Sequence, residues 1–294
     1  MANHNSLCSL LISFTLFSIL LSIIPTTTSY LFPHKKLSIE SIFQFGDSLS
    51  DTGNLIRDGP IGAHNPCGSP PYGETLHDTT GRCSDGLLMI DFFATYFRLP
   101  LLSPYLNKQG NFKHGVNFAV AGSTALDADA LAAKGATSPV TNSSLSVQLN
   151  WFKSHLHSIC QNISVRKSLV IMGEIGGNDY NYALLQGKTM DELRSMVPNV
   201  VHTIKEAVKE VIDFGAKKVV VSGNFPIGCM PIYLSLFESK DPSMYDELEC
   251  LKPFNELAKF HNDRLQQAIK ELQQKYPNVA IDLMKMGFKK HVVG

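Results

Sequence analysis

Short apolar runs alternate with longer amphipathic ones along this chain, and the alternation sets the expected architecture. Ser41 to Phe45 is apolar and aromatic, bounded by Gly46-Asp47, and predicts a buried first strand. Val116 to Ala121 predicts a second strand ending at Gly122, Ser168 to Gly173 a third, Lys217 to Ser222 a fourth and Val279 to Leu283 a fifth. Gly86 to Phe97 carries Leu87, Ile90, Phe93, Ala94 and Phe97 at helical spacing, with Ser84 or Asp85 as the expected cap. Thr189 and Glu192 form a capping box, followed by an apolar stripe from Leu193 to Ile212; Gly215 ends that helix and Pro198 is expected to kink it. A last helix from Pro253 to about Lys275 places Phe254, Leu257, Ala258, Leu265, Ala268, Ile269 and Leu272 on one face. The Gly-, Pro-, Asn- and His-rich stretch from Thr52 to Arg82 reads as a long loop, of the kind that forms lids or pocket walls.

Strands separated by helices imply crossover connections, hence an α/β fold with a parallel sheet covered on both faces. Ligands of such sheets bind beyond the carboxyl ends of the strands. Ser48, Gly122 and Asn178 each follow the carboxyl end of an expected strand, so three remote segments are expected to meet on one rim.

Composition narrows the class. The 294 residues have zero formal net charge and are 44% hydrophobic, with cations scattered rather than clustered. That pattern leaves no footprint for nucleic acid and suits an uncharged substrate. Residues 1–29 read as a signal peptide, with an apolar run from Leu7 to Ile24, then Pro25 and small polar residues; no Lys or Arg precedes the run. An uncleaved anchor is the alternative, because the run approaches membrane-spanning length. Residues 30–294 are expected to form one secreted domain with no stable membrane span. Cys8 falls in the leader, leaving Cys67, Cys83, Cys160, Cys229 and Cys250, an odd number whose pairing is open. The sequons at Asn142 and Asn162 agree with secretion.

Ester hydrolysis needs a nucleophile, a base and donors for the oxyanion. Ser48 suits the first role. Its own N–H, the Gly122 N–H and the Asn178 side-chain amide suit the last. Gly122 lacks a Cβ and so lets backbone approach substrate closely. Taken singly, Gly46-Asp47-Ser48 and Gly176-Gly177-Asn178-Asp179 are ordinary turn sequences; their order, each after a strand, gives the chemical reading. Asp51 reads as a holder of the nucleophile loop and Asp179 as structural.

Longer blocks carry a resemblance. Phe45-Gly46-Asp47-Ser48 continues as Leu49-Ser50-Asp51-Thr52-Gly53-Asn54; later come Pro70-Pro71-Tyr72-Gly73, Gly81-Arg82-Cys83-Ser84-Asp85-Gly86, Gly115 to Gly122, Gly173-Glu174-Ile175-Gly176-Gly177-Asn178-Asp179-Tyr180 and Pro226-Ile227-Gly228-Cys229. Together they resemble the plant GDSL esterase/lipase family from Ile39 to about Asp282. The resemblance implies a three-layer α/β/α SGNH-hydrolase fold with a flavodoxin-like parallel sheet. It also implies secretion, no cofactor, a small-molecule or lipid ester as substrate, Ser48 as nucleophile, and Gly122 and Asn178 as oxyanion donors.

The family's Asp-x-x-His block, which supplies the general base and its orienting aspartate, has no counterpart in these residues. The tail 283–294 is unlike the family, so the expectation is a truncated, impaired form, with a non-catalytic ester- or glycan-binding pseudoenzyme or a splice by-product as the alternative. No other histidine reads as a substitute base. His291 lies in the tail, His261 on the late helix, His64 and His77 in the long loop, and His155 and His157 read as surface rather than as metal ligands.

Overall fold

The computed structural model describes residues 39–158 and 165–285. The leader, Cys8, Cys160, the Asn162 sequon, His291 and nearly all of the atypical tail lie outside these residues. The sheet comprises β1 (Ser41–Phe45), β2 (Gly115–Asn117), β3 (Ser168–Met172), β4 (Lys218–Ser222) and β5 (Ala280–Met284). All its pairings are parallel, in the order β2-β1-β3-β4-β5. Eight α-helices occur among the described residues: α1 (Gly59–Ala63), α2 (Met89–Tyr96), α3 (Ala128–Ala132), α4 (Leu145–Ser158), α5 (Gly177–Leu185), α6 (Met190–Asp213), α7 (Pro231–Leu236) and α8 (Lys252–Lys275).

Alternation along β1 explains the layering. Phe43 and Phe45 point into the larger core with Phe152 of α4, the α6 stripe and Leu265 of α8, while Ile42 packs on the other face with Ile90 and Ala94 of α2. A strand sandwiched in this way has no solvent face, and all five β1 residues are buried. Helix α6 follows its sequence closely. Glu192 N–H donates to Thr189 Oγ1 at 3.3 Å and Thr189 N–H to Glu192 Oε2 at 2.8 Å, closing the capping box. The helix runs continuously through Pro198, and Gly215, at φ +105°, turns the chain out of it.

Three expectations needed correction. Strand β2 is only three residues long: the Phe118 and Val120 N–H groups still donate to Gln44 O and Gly46 O at 2.7 and 3.1 Å, but Ala119 N–H turns to Asn117 Oδ1 at 2.9 Å, and Asn117 Nδ2 donates to Ser50 O at 2.6 Å. Helix α2 starts later than expected, because Asp91 accepts the Leu88 N–H at 2.8 Å and thereby caps the helix there. The long loop contains α1 and three short 3-10 turns. It is pinned by a Cys67–Cys83 disulfide and by a two-pronged Arg82–Asp91 ion pair at 2.9 and 2.8 Å. A second disulfide joins Cys229 to Cys250. Among the described residues no helix is long and apolar enough to cross a membrane.

Candidate active site

In a sheet of this order the chain winds in opposite directions from β1 and from β3, and a crevice opens beyond their carboxyl ends. Ser48 is in the turn after β1, half-buried, and Asn178 is in the first turn of α5 after β3. Both line a cavity of about 190 Å³. Its floor is polar, with Asp47, Glu174 and Asn181, and its far wall is apolar, with Phe225, Ile232 and Leu236 among the lining residues.

The turn that carries Ser48 is held from several directions. Gly46 N–H donates to Gln148 Oε1 at 2.9 Å and Gln148 Nε2 donates back to Gly46 O at 2.8 Å. Asp47 N–H donates to Glu174 O at 3.2 Å, and Leu49 N–H donates to Asp47 Oδ1 at 3.0 Å. Asp51 accepts from the N–H groups of Gly53, Asn54, Leu55 and Ala121, tying the turn to the segment after β2. Asp179 accepts from Ala125 and Leu126 at 2.8 and 2.9 Å and fixes the stretch just beyond Gly122. Both aspartates are thus built into the scaffold.

Asn178 joins the three segments. Its Nδ2 donates to Asp47 Oδ2 at 3.2 Å, beside Ser48, and to Ser123 O at 2.9 Å, beside Gly122. Gly122 has φ +85°, and a Cβ there would lie 2.7 Å from Val140 Cγ1 and 2.9 Å from the Tyr182 hydroxyl, so only glycine fits the turn. Tyr182 donates its hydroxyl to Gly122 O at 2.8 Å, fixing the plane of the peptide that follows.

Buried carboxyls shape the field of the site. Burial pushes Asp47 up to about 6 and Asp179 up to about 7, against the pull of the N–H groups that each accepts. Glu174 is held well above the ordinary glutamate value by burial and by the neighbouring Asp47. Its carboxyl is paired with that of Asp47, and the pairing favours the proton on Glu174. Gly177 N–H donates to the Glu174 carboxyl at 3.2 Å.

Histidines are placed elsewhere. Among the described residues none lines the cavity. His261 is buried in α8, its Nδ1 2.8 Å from the Tyr180 hydroxyl, and burial lowers it to about 4. His155 is not on the surface as expected; it is 4% exposed and packs edge-on against Phe43 and Phe112, while His157 is exposed. His64 and His77 are on the outer loop. No group of three His, Cys, Asp or Glu side chains among the described residues is arranged to hold a metal ion.

Sequence reasoning did not assign Glu174, Asn181 or Tyr233 to the site. Glu174 sat in plain view within the Gly173–Tyr180 block, but nothing in the sequence showed that it meets Asp47. Tyr233 is contributed by α7, whose six residues give no periodic signal.

The parallel α/β sheet thus carries a serine beyond β1 and an asparagine beyond β3 on one cleft. The GDSL-like lipase/acylhydrolase pattern matches residues 42–293, and the chain belongs to that family. An Arabidopsis thaliana GDSL esterase/lipase is 44% identical over 257 residues, covering 83% of this chain and 65% of the relative. Acetylajmalan esterase of Rauvolfia serpentina is 45% identical over 248 residues, covering 82% and 64%. Sinapine esterase of Brassica napus is 42% identical over 251 residues, again covering 82% and 64%. The chain thus spans a little under two thirds of the length of these relatives.

Proposed function

We propose that this chain is a carboxylic-ester hydrolase that forms a seryl acyl-enzyme at Ser48. One observation carries the reading: Ser48 and Asn178 share a cleft, and the Asn178 amide is hydrogen-bonded to the neighbours of both Ser48 and Gly122. Ser48 Oγ attacks the ester carbonyl carbon and gives its proton to a base, and the alcohol leaves; water then cleaves the acyl-enzyme. The oxyanion formed in each half is met by the N–H groups of Ser48 and Gly122 and by Asn178 Nδ2. The apolar wall takes the hydrocarbon part of a small acyl or aryl ester. The relatives named as esterases of acetylajmalan and of sinapine support a plant metabolite as substrate.

Among the described residues no histidine lines this cleft. These 294 residues alone are therefore proposed to turn over ester about 10⁴-fold more slowly than a complete triad. Residues 1–29 are proposed to direct secretion of a single domain, 30–294; the two disulfides and the exposed loop position of Asn142 support an oxidising, glycosylating route.

Hydrolysis of 4-nitrophenyl acetate tests the function. Slow release that Ser48→Ala abolishes is expected. Equal rates in both proteins would remove the esterase reading, whereas Ser48-dependent turnover at ordinary enzyme rates, about 1 to 10³ per second, would remove the impairment.

A further inference from the structure

The apolar wall and the oxyanion amide are joined by a line of hydrogen bonds. Tyr233, on α7, donates its hydroxyl to Asn181 Oδ1. Asn181 Nδ2 donates to Asn178 Oδ1 at 3.3 Å, across one turn of α5. Asn178 in turn directs both Nδ2 hydrogens toward Asp47 and Ser123. All three relay residues line the cleft.

We propose that Tyr233 and Asn181 are positioning residues for Asn178, so that the helix covering the apolar part of the substrate also aims the amide at the oxyanion. The inference rests on the ester-hydrolase reading of the cleft. At rest, Asp47 and Ser123 set the direction of the amide, because the reverse orientation would bring Asn178 Oδ1 against a carboxylate and a carbonyl. To reach an oxyanion, one of those two bonds has to be released. From then on the bond from Asn181 is what holds the carbonyl end, and Asn181 is held in turn by Tyr233.

Tyr233 suits this task. Its ring packs against Phe237 and Phe254, with centroids 6.3 and 5.4 Å away, so its hydroxyl points from a fixed base. Burial raises the hydroxyl well above its ordinary pKa, so it remains a donor throughout the useful pH range. On the same short helix, Ile232 and Leu236 line the cleft while remaining more than half exposed. A hydrocarbon group resting on them presses on the element that carries the start of the relay.

Tyr233→Phe tests the proposal with little risk to folding, since the ring and its packing remain. Two measurements are made on the folded protein and on the Tyr233→Phe, Asn181→Ala and doubly substituted forms. The first follows the Asn178 side-chain amide resonances by NMR, assigned through Asn178→Asp. The second follows inactivation by an alkyl fluorophosphonate, separated into an inhibitor constant and a maximal rate. Expected are displaced Asn178 resonances in Tyr233→Phe and a maximal rate lower by roughly three- to tenfold with an unchanged inhibitor constant. The double form should be no slower than Asn181→Ala. Unmoved Asn178 resonances in Tyr233→Phe, or a change confined to the inhibitor constant, would overturn the relay. Displaced resonances in a protein whose Ser48 is never modified would uphold the relay and overturn the esterase reading.

Discussion

Glu174 and Asp47 are paired through their carboxyls at the floor of the cleft, so the residue preceding the proposed nucleophile is half of a carboxyl pair. Asp47 ionises first, at about 6, so the pair is neutral well below that pH and carries a single negative charge above it, since two buried carboxylates in contact repel each other. Glutamine reproduces the protonated glutamate: its oxygen accepts the Gly177 N–H and its amide donates to Asp47. Glu174→Gln is therefore expected to fold with near-native stability at pH 6, and Glu174→Ala to lose about 1 to 3 kcal/mol by leaving buried groups unpartnered. Chemical denaturation of the two variants checks this.

The same carboxyls give stability a definite pH dependence. Asp47, Glu174 and Asp179 all have folded values above their ordinary ones, so the native state holds protons that the unfolded chain has already released. Their contribution is complete in acid and is lost as pH rises through the folded values. His261, lowered to about 4, works in the opposite sense, and its contribution is gained between about pH 4 and 6.5. His155, also lowered by burial, works in the same sense as His261; above pH 6.5 these imidazole contributions are nearly complete and the carboxyl contribution dominates the change. The melting temperature is expected to fall from pH 6.5 to 8, and to fall less steeply in Glu174→Gln.

Gly46 has φ +153°, and a Cβ there would lie 2.6 Å from Ser50 Oγ and 2.8 Å from Glu174 O. The second of these is backbone and cannot swing away. Gly46→Ala is expected to displace the nucleophile turn from its Gln148 clamp, lowering the reactivity of Ser48 at least tenfold while leaving far-ultraviolet circular dichroism native. Fluorophosphonate labelling rates measure the effect.

Arg82 and Asp91 are nearly inaccessible and bind through two parallel hydrogen bonds. Truncating only one of them strands a buried charge, so Arg82→Met is expected to cost about 3 to 5 kcal/mol. Replacing both by apolar residues should cost much less, and urea melts of the single and double variants decide it.

The strands were legible as short apolar runs, and the two long helices because their burial is periodic: the α6 stripe from Leu193 to Ile212 and the α8 stripe from Phe254 to Leu272 are buried as their spacing required. The meeting of the segments after β1, β2 and β3 was legible for a different reason, since strand order in a parallel sheet collects carboxyl ends on one rim. What stayed hidden depends on contacts between distant residues with no local pattern. Glu174 meeting Asp47, Tyr233 reaching Asn181, His155 turning inward and the Asn117 side chain reaching Ser50 O are all of this kind. The disulfide pairing was hidden too, because spacing alone left several connections open.

The central claim is that Ser48, Gly122 and Asn178 form one acyl-transfer site, and a crystal structure of the protein after reaction with an ethyl fluorophosphonate tests it most directly. The account predicts phosphorus bonded to Ser48 Oγ, with one phosphonyl oxygen about 2.7 to 3.1 Å from Gly122 N and from Asn178 Nδ2. It also predicts that Asn178 has given up its bond to Asp47 or to Ser123. Phosphorus on another residue, or a phosphonyl oxygen facing solvent while Asn178 keeps both present partners, would contradict it.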